Sequence, residues 1–204
     1  MIAIVDYGVG NLKSIENAVK FHNNELAVAI VSEPDDLRKF SKIILPGVGA
    51  FGDAIRKVRE KKFDLALVKE AKKGKPILGI CLGMQLLATV SHEYGSHNGL
   101  NLIPGEVISF RTLQGDLRVP HMGWNDVHFL RKNTFVQGIT NGSDFYFVHS
   151  YFFRAENPTH VLGITEYGLR FASMINRDNI FGVQFHPEKS QVTGLALVKN
   201  FVEM

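Results

Sequence analysis

The feature that most constrains this chain is a set of short apolar runs, at residues 2–5, 26–31, 43–45 and 77–80, in which apolar and polar positions do not alternate. A strand with one face in water alternates the two kinds of side chain, whereas a strand buried on both faces need not. Amphipathic segments at 12–21, 36–40 and 54–73 separate the runs, so the pattern predicts βαβ units with helices covering a parallel sheet. The 54–73 segment should break or bend near Lys61-Lys62, and Gly74-Lys75-Pro76 should end it before the strand at 77–80. A further helix is expected to begin at Leu82.

Beyond Leu102 the texture changes to β-branched and aromatic runs at 107–110, 127–130, 145–148, 161–165, 171–175 and 180–185. These predict strands joined by turns, and residues 194–202 predict a closing helix with Leu195, Val198 and Phe201 on one side. The expected fold class is α/β: a mixed, mostly parallel central sheet flanked by helices, with an antiparallel extension in the second half. With 204 residues, 45% of them hydrophobic, the chain can bury a core without disulfides or metal. No linker or repeat interrupts it, so one domain over 1–204 is expected.

The single cysteine excludes an intramolecular disulfide framework, and the first residues lack a basic segment leading into a long apolar one. No apolar run approaches the roughly 18 residues of a membrane span. A cytoplasmic protein without a membrane partner is therefore expected. The net charge of +3 comes largely from residues 57–75, where Lys and Arg recur with Glu at helical spacing. That pattern predicts a solvated helix face rather than a nucleic-acid footprint.

Gly79-Ile80-Cys81-Leu82-Gly83 has the G-x-nucleophile-x-G form, between a predicted strand and a predicted helix. A sharp strand-to-helix turn needs small residues on both sides of the nucleophile, and a helix N-terminus favours a thiolate and offers N–H groups to an anion. The alternative is that Cys81 is a small buried hydrophobe. The run at 180–185 delivers His186-Pro187-Glu188 at its end. Residues two apart on extended chain face the same side, so Glu188 can orient the His186 imidazole toward a nucleophile from another strand. A surface His beside a surface Glu is the alternative there. The eight histidines lack the spacing that zinc sites favour, so no metal and no cofactor is expected. Asp6-Tyr7-Gly8-Val9-Gly10-Asn11 begins like a dinucleotide fingerprint, but Lys13 stands where the third glycine belongs.

On the elbow and the His-Pro-Glu segment, the chain resembles the class I, triad-type glutamine amidotransferases, a flavodoxin-like family, over nearly its whole length. Further matching motifs are Pro46-Gly47-Val48-Gly49-Ala50-Phe51-Gly52, Met84-Gln85, Pro120-His121-Met122-Gly123-Trp124-Asn125 and the segment at 185–190. These narrow the resemblance to subunits that pass ammonia to a (β/α)8 synthase (cyclase) subunit of histidine biosynthesis, as a heterodimer. Two stretches depart from the pattern: Ser91 to His97 is less acidic than expected, and Gln191 follows Ser190 where glycine is more usual. They leave open a paralogue that amidates a nucleotide-linked or lipopolysaccharide sugar. A cysteine peptidase on the same elbow is a further alternative.

The resemblance implies that Cys81, His186 and Glu188 form a catalytic triad acting on L-glutamine. It implies an oxyanion hole from the Leu82 N–H and the turn Gly47, Val48 and Gly49, whose glycines let a peptide point either way. Glutamine would be held by Gln85, His149, Ser150 and Tyr151, with Tyr146 nearby. The synthase would be met by Val9, Asn11, Met122, Trp124, Asn125 and Lys189.

Overall fold

The structure, a computed structural model, describes residues 1–112 and 117–204. Its strands are β1 (Ile2–Val5), β2 (Val28–Val31), β3 (Lys42–Leu45), β4 (Ile77–Ile80), β5 (Val90–Ser91), β6 (His97–Asn98), β7 (Gly105–Ser109), β8 (His121–Phe129), β9 (Ser143–His149), β10 (Tyr151–Ala155), β11 (Val161–Glu166), β12 (Arg170–Arg177) and β13 (Ile180–Val183). Its α-helices are α1 (Leu12–Lys20), α2 (Phe51–Glu60), α3 (Phe63–Lys72), α4 (Leu82–Leu86) and α5 (Gln191–Glu203). Among the described residues no helix is long and apolar enough to cross a membrane.

The protein is α/β, with a parallel core in the order β2-β1-β3-β4-β13. The sheet continues through antiparallel β12, β10 and β7 to the short β5 and β6. Strands β8 and β9 form a long antiparallel ribbon joined to it through β11. Every residue of β1, β3, β4 and β13 is buried, as the continuous apolar runs require, and clusters of packed side chains cover both faces; the run at 26–31 departs from this, because β2 is the edge strand and buries only Val31 fully. Lys42, which opens β3, is buried too, and its ammonium donates to Val202 O and Met204 O at the chain end.

The helix predicted over 54–73 is two helices. Lys62 adopts φ 60°, a left-handed conformation that ends one helix and begins the next. The charged face is solvated apart from Glu70, which is buried with its carboxylate 2.6 Å from both the Lys73 and Lys75 ammonium groups. Residues 36–40 lie in and just beyond a 3-10 turn, Pro34–Lys39, too short to bury a helical stripe. The closing helix begins at Gln191 rather than 194, and buries Leu197 with Val198 and Phe201, whereas Leu195 is half-buried. A Cβ on Gly194 would lie 2.0 Å from Pro187 O, so this glycine lets α5 press against the loop carrying His186. Sequence patterning missed β10, and it missed the first six residues of β8.

The two elbow glycines have steric reasons. A Cβ on Gly79 would lie 2.6 Å from Gly83 O, and one on Gly83 would lie 1.9 Å from Leu45 O, so α4 folds directly down onto β4 and β3. Gly83→Ala should therefore destabilise the protein by about 1–3 kcal/mol or more. Urea unfolding at neutral pH checks this, and an unchanged midpoint would show that α4 can lift away freely.

Candidate active site

Cys81 sits between the end of β4 and the start of α4 with φ 54° and ψ −112°, a conformation L-residues rarely adopt. Such strain persists only where the surroundings over-determine it. Here the Cys81 N–H donates to Val183 O at 2.8 Å, extending the β4–β13 pairing by one residue, and the Cys81 carbonyl accepts from Gln85 N at 3.2 Å. The side chain thereby leaves the sheet at its carboxyl edge, where ligands of open α/β sheets bind.

The neighbouring strand ends at the same level. β13 stops at Val183, three residues before His186, and Pro187–Lys189 forms a 3-10 turn. The extended geometry expected for His186 to Glu188 is therefore replaced by a turn, which still sets the His186 Nδ1 to Glu188 Oε1 distance at 2.8 Å. Backbone bonds pin this turn. His186 N donates to Tyr146 O at 2.9 Å, Ser190 Oγ donates to His186 O at 2.6 Å, and Tyr146 N donates to Ser190 Oγ at 3.0 Å. Gln191 holds a left-handed φ of 50°, a conformation that glycine adopts without steric cost.

The imidazole and carboxylate side chains are 6% and 2% exposed, so their charges act with little screening. Burial disfavours the imidazolium, but hydrogen bonding and negative charge from Cys81 and Glu188 outweigh it and push His186 up to about 10. Glu188 Oε2 is buried and bonds no described group, so the carboxylate's one described partner is His186. Gln184, fully buried one residue past β13, directs Nε2 at the Cys81 sulfur from 3.8 Å.

These groups open onto a cavity of about 350 Å³ lined by Val48, Gly49, Cys81, Leu82, Gln85, Glu93, Pro120, Val148, His149, Ser150, Tyr151 and His186. A larger cavity of about 800 Å³ lies along residues 129–141. Its described lining holds no cysteine, histidine or carboxylate, and its Arg131 is engaged by Thr159 O and Val161 O.

Of the residues expected at the site, the cavity gathers the thiol, the imidazole, Val48, Gly49, Leu82, Gln85, His149, Ser150 and Tyr151. Gly49 has φ 91° and open space where a Cβ would stand, whereas Gly47 lies outside the lining. A Cβ on Gly47 would sit 2.7 Å from the Tyr7 hydroxyl and 2.8 Å from Gly83 N, so it is a packing glycine. Tyr146 also lies outside. Its ring meets Trp124, with the Lys189 ammonium 5.8 Å from its centroid, and its contribution is the backbone that holds the His186 turn.

The six residues expected to meet a partner divide by environment. Met122 and Trp124 are exposed, at 62% and 48%, which settles against a core position for the lone tryptophan. Lys189 is exposed and Val9 half-buried. Asn11 accepts from Ser14 N as the cap of α1, and the Asn125 amide is held by Glu166 O and His121.

Sequence reasoning missed three contributors. Glu93 is the one acid in the described lining, and its Oε2 also accepts from Phe51 N at 2.6 Å; burial raises its pKa above the usual carboxylate value against that bond and His97. Gln184 interrupts an apolar run, which was a usable signal. His121 was visible only as part of a motif. It and His149 are kept neutral by burial, which lowers them to about 4 and about 3.

Following imidazole nitrogen shifts from pH 4 to 11 should show His186 titrating near 10, with His121 and His149 uncharged at neutral pH. Glu188→Gln removes the charge that favours the imidazolium, so His186 should titrate at lower pH while the other two stay put. An unmoved His186 midpoint would contradict the assigned electrostatics.

A family model described as glutamine amidotransferase class-I matches residues 3–204. A curated imidazole glycerol phosphate synthase subunit HisH from Moorella thermoacetica is 48% identical over 203 residues, spanning 100% of this chain and 94% of that one. Subunits of the same name from Sulfurimonas denitrificans and Desulfitobacterium hafniense are 45% and 44% identical, over 100% and 98% of this chain and 98% and 93% of theirs. Among solved structures, a glutamine amidotransferase aligns with TM-score 0.77 and 18% identity over 100% of both chains. A chain of PurLQS from Thermotoga maritima aligns with TM-score 0.76 and 19% identity, over 99% of this chain and 97% of its own, and both likenesses concern fold alone. With whole-length identity to the subunits added to the shared fold, this chain belongs to the class-I glutamine amidotransferase family, among the imidazole glycerol phosphate synthase HisH subunits.

Proposed function

We propose that this chain hydrolyses L-glutamine at Cys81 and delivers the ammonia to a (β/α)8 synthase subunit that makes imidazole glycerol phosphate. The observation that carries the reading is the meeting of Cys81 and His186 on one cavity, with Glu188 bonded to the imidazole behind it, in a chain 48% identical to a named subunit of that synthase.

In this reading the Cys81 thiolate attacks the side-chain carboxamide carbon of glutamine. Negative charge develops on the carbonyl oxygen, toward which the Leu82 N–H and the backbone of Val48-Gly49 supply donors. His186, held as imidazolium by Glu188, passes its Nε2 proton to the amide nitrogen. The C–N bond breaks, ammonia leaves, and a γ-glutamyl thioester remains on Cys81. The now neutral His186 takes a proton from water, the resulting hydroxide attacks the thioester, and thiolate and glutamate separate. Glu93 pairs with the α-ammonium of the substrate, and the backbone of Ser150 and Tyr151 holds the amino-acid end.

Ammonia is nucleophilic only while unprotonated, so transfer into a partner without contact with bulk water suits the chemistry. The exposed Met122 and Trp124, with Lys189 and Val9, form the partner-facing surface in this reading. Compartment follows from the same proposal: a small-molecule biosynthetic subunit of the cytoplasm.

Cys81→Ala should lower glutamine turnover by at least about 1000-fold. Glu93→Gln should raise KM for glutamine roughly 10-fold or more with a smaller change in kcat, because it removes a charged hydrogen bond made in ground and transition states alike. Mixing the chain with a synthase subunit and following glutamine-dependent imidazole glycerol phosphate formation tests the acceptor. Amidation of a sugar by a different co-purifying partner would move the chain to the paralogous reading.

A further inference from the structure

A chain of hydrogen bonds enters the site from behind, and each link has only one possible direction. At the outer end, the Asn125 amide is oriented by two backbone groups: Asp126 N can only donate to Asn125 Oδ1, at 2.9 Å, and Glu166 O can only accept from Nδ2, at 3.0 Å. Nδ2 also lies 3.1 Å from His121 Nε2, which must therefore be an unprotonated acceptor. His121 then carries its proton on Nδ1, 2.9 Å from His149 Nε2, and donates it there. At the far side of His149, Tyr151 O can only accept, so Nδ1 carries the proton and donates over 2.8 Å. The two neutral tautomers assigned from opposite ends agree.

The same carbonyl continues the chain. Gln85 Nε2 donates to Tyr151 O at 3.0 Å and to Gln184 Oε1 at 3.0 Å, which leaves Gln184 Nε2 to point at the Cys81 sulfur. His121 itself is only 3% exposed and lies between the rings of Phe147 and Tyr167, with centroids at 4.8 Å and 4.1 Å. A hydrophobic residue would fill that slot without the cost of burying two ring nitrogens.

We propose that His121 is a positioning residue of the glutaminase: its donation to His149 Nε2 anchors the His149 ring, which holds the Tyr151 carbonyl inward and so orients Gln85 and Gln184 on the Cys81 sulfur. Without that donor, His149 Nε2 is a buried acceptor with nothing to accept. That ring nitrogen is then satisfied only if the imidazole shifts toward water in the cavity, which loosens the Nδ1 donation to Tyr151 O and frees the cavity wall at Ser150-Tyr151 to turn. The proposal rests on the glutaminase reading for its function but not for its geometry.

The experiment uses the full chain. His121→Phe keeps the stacked ring and removes the donor, whereas His121→Asn places an amide nitrogen near the position of Nδ1. Three quantities are measured: kcat for glutamine hydrolysis, the rate of Cys81 alkylation by iodoacetamide, and the His149 tautomer from imidazole nitrogen shifts. His121→Phe should lower kcat about 10-fold, the effect of one lost buried hydrogen bond, change the alkylation rate and shift the His149 ring-nitrogen resonances as Nε2 loses its donor. His121→Asn should recover most of the activity and the wild-type nitrogen shifts.

Wild-type kcat and alkylation in His121→Phe would overturn the proposal, as would equal losses in both variants, since packing alone would then account for them. Should His121→Phe fail to fold, the wild-type spectrum still decides: a His149 protonated on Nε2 overturns the proposal. If the wild-type chain alkylates at Cys81 but turns over no glutamine even with the synthase subunit present, the functional reading fails while nitrogen shifts and alkylation still judge the relay.

Discussion

The parallel pairing of β4 with β13 is the constraint on which the site depends. Its register sets Ile80 opposite Val183 and makes Val183 O the acceptor for Cys81 N, so Cys81 is held by the strand that leads to His186. Neither strand can slip by one residue without turning its buried side chains to the opposite face. Elbow strain at φ 54° is tolerated because this bond, the descent of α4 between Gly79 and Gly83, and the buried strands on either side leave no easier conformation.

Around that pairing the protein buries an unusual amount of polar chemistry. Gln85, Gln184, His121, His149 and His186 are all nearly inaccessible, and each would be costly if left unpaired. Instead their donors and acceptors are matched in sequence, which makes the geometry rigid as well as affordable. Two opposite demands on imidazole are met within one site. His186 is surrounded by negative partners and kept charged, while His149 meets a carbonyl and another neutral ring and stays neutral.

Much of this was legible in the sequence, for local reasons. Gly79 answers to a steric limit within five residues, although that on Gly83 comes from Leu45, and the continuous apolar runs answer to burial on both faces, so β1, β3, β4 and the break at Lys62 could be placed from patterning. β10 could not, because Tyr151-Phe152-Phe153 follows β9 after a single residue and reads as its continuation. Tyr146 and Gly47 entered the expected site through the family resemblance, and only packing shows the Tyr146 ring against Trp124 and the absence of room for a side chain at Gly47. Glu93, Gln184 and His121 act through contacts made across 42, 103 and 28 residues of chain, to Phe51, Cys81 and His149, which no local pattern encodes.

In the proposed reaction Cys81 becomes covalently acylated by glutamine because β4 and β13 hold it beside a charged His186. Acid-quenching the protein during glutamine turnover and weighing the peptide that contains Cys81 tests it directly. The account predicts a γ-glutamyl group on the Cys81 sulfur that is present during turnover and lost when glutamine is exhausted. Steady release of glutamate with Cys81 unmodified throughout, or with the adduct on another residue, would contradict it.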